Sequence, residues 1–229
     1  MKELKEQRLA DIVSEHHSSA AVFEKHKLDF CCKGKRTLAQ ACLEQEIPLD
    51  HIEQELAKVI SNPETPEPSV FDRMTPKQLS DYIVARHHVF VRQAIPQIAY
   101  HLDKVYNKHG ERYEYVGEVY SLFMKVAAEL EQHMLKEEKI LFPMMEHVDR
   151  MTGSQLSGPI HVMESEHEQA GDLMARIREL THDYSAPADA CTTHRLVLEE
   201  LRSFEEDLHE HVHLENHLLF PRAVAMTMN

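Results

Sequence analysis

Two stretches of this chain place a histidine four residues before a glutamate and follow the pair with Phe-Pro: His133, Glu137, Phe142, Pro143 and, with identical spacing, His211, Glu215, Phe220, Pro221. On a helix, residues four apart stand one turn apart on one face, so each pair can address one centre. A further histidine stands upstream of each pair, His88 before His133 by 45 residues and His167 before His211 by 44. Four imidazoles and two carboxylates from two like hairpins form a ligand set for two cations sharing both glutamates. Each ion receives two terminal histidines, with positions left for a solvent-derived oxo or hydroxo bridge and for an exogenous molecule. Buried ionised carboxylates require compensation, and cations supply it; such a His-rich bridged site suits iron or manganese. The expected metal ligands are His88, His133, Glu137, His167, His211 and Glu215.

Helices must position them. Four long segments, roughly 76 to 107, 113 to 149, 154 to 182 and 188 to 226, carry apolar residues at alternating steps of four and three, the seam of helices packed in a bundle. The seams read Val84, His88, Val91, Ile95, Ile98, Leu102; Val119, Phe123, Val126, Leu130, His133, Glu137, Ile140, Met144; Leu156, Ile160, Met163, His167, Ala170, Met174, Ile177; and Val197, Leu201, Phe204, Leu208, His211, Glu215, Leu218. The six polar residues interrupt otherwise apolar stripes. One seam histidine alone is ordinarily a hydrogen-bonded core residue; six on four matched seams define a site. His209, His213, His217, His16 and His17 fall off the seams and read as solvated surface, while His87 stands at the bundle edge. Glu129, one turn before His133, and Glu166, beside His167, are candidates to accept an imidazole N–H or to line an access path. Phe142-Pro143 and Phe220-Pro221 read as packing residues that kink or end their helices.

Residues 62 to 76 contain four prolines and read as an extended linker. It separates a small helical domain, residues 1 to 61, from a four-helix bundle, residues 77 to 229. The fold class is thus all-α. The small domain contains Asp29-Phe30-Cys31-Cys32-Lys33-Gly34-Lys35-Arg36. Adjacent cysteines pair poorly, and three nearby cations favour thiolate, so Cys31 and Cys32 form a candidate thiol site for redox or metal handling, with a packed turn as the plain alternative. Cys42 and Cys191 read as small core residues.

Composition narrows the class. Six glycines and no tryptophan disfavour a turn-rich β fold, and 25 Lys plus Arg against 39 Asp plus Glu leave a net charge of −14, which repels nucleic acid and anionic membranes. No apolar run is long enough to span a bilayer. Four cysteines are too few for a disulfide framework, so the chain reads as cytoplasmic. Eighteen histidines point to metal.

The segments DFCCKGKRTLAQAC (29 to 42), HMLKEEKILFP (133 to 143), MESEHEQAG (163 to 171) and HVHLENHLLFPRA (211 to 223) together resemble the Repair of Iron Centres family, iron-sulfur cluster repair proteins with a hemerythrin-like domain. The resemblance spans nearly the whole chain. It implies two iron ions per chain, bridged by Glu137 and Glu215 and held by the same six residues. It further implies repair of iron-sulfur clusters damaged by nitrosative or oxidative stress, with damaged iron-sulfur proteins and the diatomics NO and O2 as partners, and a homodimer. Iron donation and NO chemistry, including NO reduction at the di-iron centre, both fit such a site. A non-enzymatic hemerythrin-like module that binds or senses O2, NO or iron is the alternative. A di-zinc hydrolase is disfavoured because no general base stands apart from the ligand set.

Overall fold

Four short helices begin the chain, α1 (Leu9–Glu15), α2 (Ser19–Lys25), α3 (Leu38–Glu44) and α4 (Leu49–Ile60). The computed structural model describes residues 3–60, 70–147 and 153–227; the expected linker at 62–69 lies outside them. Helix α3 starts where Thr37 accepts from the Gln40 backbone N–H while the Gln40 side chain accepts from the Thr37 N–H, a reciprocal cap. Within the expected linker, Val70–Arg73 forms a helical turn whose Phe71 is buried and meets Tyr82 edge-on at 5.0 Å. The next helix begins at Pro76 behind a second reciprocal cap, Thr75 with Gln78.

Each of the bundle's first, second and fourth helices is interrupted by a π turn. The first runs as α5 (Pro76–Ile83), a π turn at Val84–His88, and α6 (Val89–His109). The second is α7 (Tyr115–Lys136), a π turn at Glu137–Leu141, and α8 (Phe142–Met145). The third is α9 (Gly153–Leu180), and the fourth comprises α10 (Thr192–His213), a π turn at Leu214–Leu219, and α11 (Phe220–Met226). Among the described residues there is no strand, and no helix is long and apolar enough to cross a membrane.

The π turns correct the second seam. In a regular α-helix a step of four residues overshoots one turn by about 40°, so a run of such steps drifts off the core face. A π turn takes up one extra residue and cancels that drift. His133, Glu137, Leu141 and Met145 therefore all point inward, as do His211, Glu215, Leu219 and Ala223. Ile140, expected in the seam, is 56% exposed, and Met144 is only partly buried. Pro143 and Pro221 follow their π turns directly, in the first turn of the continuing helix, where a missing N–H is tolerated. They do not end the helices.

Two apolar clusters fill the interior. One runs from the small N-terminal helices through most of the bundle and includes Phe23, Leu38, Ile52, Phe123 and Phe204. The other fills the far end with Leu79, Ile83, Leu141, Leu156, Leu219 and Phe220. Between them lies a polar layer of histidine and glutamate, sealed along the bundle axis on both sides.

Candidate metal centre

The six residues expected as ligands meet in that layer, all buried. They form two overlapping groups, His88, Glu137, His211, Glu215 and His133, Glu137, His167, Glu215, and the donor atoms within each group lie within 4.8 Å of one another. Both groups contain both glutamates. His88 Nε2 stands 3.4 Å from Glu137 Oε2, His133 Nε2 3.2 Å from Glu137 Oε1, His167 Nε2 3.0 Å from Glu215 Oε2, and His211 Nε2 3.1 Å from Glu215 Oε1. The Nε2 atoms of His133 and His167 are 3.0 Å apart. All four imidazoles thus turn Nε2 inward.

The donor set fits metal. Two atoms at about 2.1 Å from one ion, separated by a right angle to a tetrahedral angle, stand about 3.0–3.4 Å apart, which is the spacing found. Despite these short separations, His88 Nε2, both oxygens of Glu137 and Glu215 Oε2 have no directed hydrogen-bond partner among the described residues. Orphaned buried carboxylate oxygens are costly without a cation. Burial opposes ionisation of Glu137 and Glu215, and Glu215 further opposes that of Glu137; the imidazoles around them outweigh this and hold both acids below the ordinary carboxylate range. Burial likewise works against charge on His133, but Glu137 and then Glu166 raise it to about 10. In the metal-free chain protons therefore balance the carboxylates, and cations in the layer would displace them.

The Nδ1 atoms, facing outward, distinguish the two hairpins. His88 Nδ1–H donates to Glu138 at 2.7 Å, and Arg92 donates to the same oxygen. His133 Nδ1–H donates to Glu166 at 2.9 Å, and Lys136 pairs with the other oxygen of that carboxylate. His167 Nδ1–H donates instead to the Asn216 side-chain oxygen at 2.9 Å, and His211 Nδ1 has no hydrogen-bond partner among the described residues. Glu166 is therefore hydrogen-bonded to an imidazole of the buried layer, that of His133 rather than its neighbour His167. Glu129 lies 3.8 Å from Lys125 and, with His133 and Glu166, lines a cavity of about 260 Å³. Sequence reading missed Glu138 and Asn216, although each directly follows a glutamate expected as a ligand, the one signal that could have found them. Phe142 and Phe220 stack on His88 and His167 at 6.0 and 6.2 Å, so the repeated Phe packs against the upstream imidazole of its own half. His87 is fully buried, stacked on His211 at 5.4 Å, and lies outside both ligand groups.

Three of the five histidines read as solvated surface are instead covered by the small domain. His209, His213 and His217 form a stripe at steps of four that receives the N-terminal helices: His209 bonds Glu24 at 2.6 Å, His213 meets Phe30 edge-on at 5.6 Å, and His217 donates to the Cys31 carbonyl at 2.7 Å. The small domain is therefore seated on the bundle. Its cysteine loop is built on Asp29, which accepts from the backbone N–H of Cys31, Cys32 and Lys33, and on Gly34, where any Cβ would fall 2.0 Å from the Phe30 carbonyl oxygen. Asn216 links this loop to the layer, since its amide N–H approaches the Cys31 carbonyl at 3.5 Å while its oxygen accepts from His167. Cys32 Sγ lies 3.5 Å from the His167 carbonyl and 3.6 Å from Cys31 Sγ.

The expected thiolate is not found at Cys31. Burial, then Cys32 and Asp29, push its thiol well above the ordinary cysteine range. The cations expected to lower it are engaged elsewhere: Lys33 with Asp172 at 3.6 Å, Lys35 with Glu164 at 3.2 Å, and Arg36 with Glu44. Cys42 is buried as expected, whereas Cys191, ahead of α10, is partly exposed.

Fold and site together define a helical-bundle cation-binding protein with a His/Glu centre, and residues 79–223 match the family described as the hemerythrin HHE cation binding domain. Residues 5–60 match a second family, described as a domain of unknown function, DUF542. The chain is 37% identical over 221 residues to the iron-sulfur cluster repair protein YtfE of Enterobacter sp. (strain 638), covering 96% of this chain and 98% of the relative. It is 36% identical over 222 residues to the protein of the same name from Escherichia coli O81 (strain ED1a), with the same coverage of both chains. It therefore belongs to the Repair of Iron Centres family of hemerythrin-like proteins.

Proposed function

We propose that this protein repairs damaged iron-sulfur clusters and that its bundle holds two iron ions, one in each buried group, both bridged by Glu137 and Glu215. The carrying observation is the sharing of both carboxylates between two histidine pairs whose inward nitrogens have the spacing of ligands to a common ion. When bound, the irons supply redox chemistry and a place for a diatomic such as NO or O2, or a store from which iron is given to a client cluster.

The chain's own residues do the rest. Glu138 and Glu166 orient His88 and His133 and keep their Nδ1 protonated, leaving each Nε2 free to ligate. The apolar clusters exclude water from above and below, and the cavity beside His133 admits a small molecule from the side. Cys31 and Cys32 lie against the His167 side, where they serve transfer or redox handling without ligating the bundle ions.

Anaerobic purification with metal analysis and optical spectra before and after NO and O2 exposure tests the reading. Two irons per chain and a spectrum that responds to NO are expected; one zinc per chain after iron-replete expression would overturn it. A Cys31→Ser, Cys32→Ser variant is expected to keep its iron and bundle spectrum but to reactivate a damaged iron-sulfur enzyme poorly.

A further inference from the structure

The HxxxE spacing occurs a third time, in the small domain. His51 and Glu55 lie four apart on α4, and His26, at the C-terminal end of α2, completes a group whose donor atoms are all within 4.8 Å of one another. His26 Nε2 is 3.0 Å from Glu55 Oε2, and His51 Nε2 is 3.2 Å from Glu55 Oε1. These separations match those inside the bundle. We infer that His26, His51 and Glu55 form a separate divalent metal site, a surface 2-His-1-carboxylate face for a labile first-row transition ion.

Three features support it. Two imidazoles and one carboxylate presented on one side leave the remaining positions of a divalent ion to water, a geometry suited to Fe²⁺, Zn²⁺ and their neighbours. The site is open, with the His51 side chain 57% exposed, while the Glu55 carboxylate is largely covered and so held in place. A cation already occupies the locus, since Lys25 Nζ lies 2.7 and 2.9 Å from the two Glu55 oxygens. Its side chain is mostly exposed, so the ammonium can swing into water and yield its position to a metal. Lys25, and then His26, hold the Glu55 carboxyl at about 2, so it is ionised throughout the physiological range.

The site is independent of the bundle centre and stands or falls apart from it. A plain helix-to-helix staple between α2 and α4 would use the same three residues but would take up no metal. The test is titration of the full-length, iron-loaded protein with Co²⁺, followed by visible absorption and by metal analysis after gel filtration. One Co²⁺ per chain beyond the bundle's metal is expected, both in the wild type and in a Glu137→Leu, Glu215→Leu variant. His51→Ala and Glu55→Gln are expected to weaken this binding by at least the roughly tenfold to hundredfold that loss of even an outer-sphere partner costs, with bundle iron unchanged. Lys25→Ala is expected to tighten it by roughly fivefold, the upper end of what one surface ion pair contributes. A wild type with no extra equivalent, an extra equivalent surviving in the His26→Ala, His51→Ala, Glu55→Gln triple variant, or unchanged or weaker binding in Lys25→Ala would each overturn the assignment. Circular dichroism melts establish that each variant is folded when measured.

Discussion

The two hairpins of the bundle carry the same repeat, His, Glu, Phe and Pro at the same spacing, yet they are supported differently. In the first, both imidazoles lean on carboxylates, Glu138 and Glu166, each also held by a cation. In the second, His167 leans on a neutral amide, while His211 Nδ1 has no hydrogen-bond partner among the described residues and its ring packs against those of His87 and His88. Their charge preferences follow. His88 and His133 are raised above the ordinary imidazole value, because Glu137 and the outer carboxylates outweigh burial, whereas burial prevails at His211 and lowers it. Each buried group takes one imidazole from each hairpin, and in the group of His88 and His211 the two imidazoles are shifted in opposite directions. The duplicated motif supplies the donors, and its surroundings differentiate them. The weaker-supported hairpin is also the one covered by the cysteine loop.

The largest expected effect removes what the two hairpins share. Stripping the metal removes the cations that join the two hairpins and leaves only imidazole protons against the buried carboxylates; breaking such a buried ionic network costs about 3–5 kcal/mol, so chelation should lower the melting temperature by roughly 10 °C in calorimetry. A Glu137→Leu, Glu215→Leu variant should hold no iron, remain folded, and melt at the same temperature with or without chelator. Retention of both irons in that variant would refute the bridging assignment.

Next in size is the π-turn register, common to both halves. Leu141→Ala and Leu219→Ala remove side chains that the π turns bring fully inside and should each cost about 2–5 kcal/mol in urea unfolding. Ile140→Ala, one residue earlier and exposed, should stay within about 0.5 kcal/mol. Equal losses at 140 and 141 would mean an uninterrupted α-helix.

The outer partners come third and bear directly on the asymmetry. Glu138→Ala and Glu166→Ala should each weaken iron retention against a competing chelator by roughly 10- to 100-fold. Asn216→Ala, on the neutral side, should lose less than tenfold, and parity between the three would erase the difference between the hairpins. The smallest effect concerns the loop seated on the second hairpin. Because Cys31 is buried and burial shifts its thiol up, away from the reactive thiolate, while Cys32 is partly exposed, mass-spectrometric mapping after iodoacetamide at pH 7.5 should find Cys32 modified well before Cys31. Equal rates would show the loop to be open in solution.

Much of this is legible in the sequence alone. The seams identified the helices because a buried helix face repeats every three or four residues, and the histidines and glutamates stood out because charge is otherwise excluded from such a face. All six centre residues were legible for that reason. Where the spacing became four, four, four, the alternation of threes and fours no longer described the face. Leu141 and Met145 were missed in favour of Ile140 and Met144, although Phe-Pro after the run marked the break.

What the chain determined by itself is local and periodic: which residues form helices, which stripe is apolar, and which six polar groups must share the interior with it. What only the tertiary structure decided is who faces whom. The stripe of His209, His213 and His217 is polar and off the seam, indistinguishable from solvated surface until the N-terminal helices cover it. The cations beside Cys31 are close in sequence, but Asp172, Glu164 and Glu44 claim them in space, and burial then decides the thiol. Glu138 and Asn216 follow the two buried glutamates in equivalent positions, yet one reaches His88 and the other His167 and the cysteine loop. Periodicity reports whether a side chain points in or out, because that depends on one helix. Its partner depends on the packing of several, and no single helix encodes that.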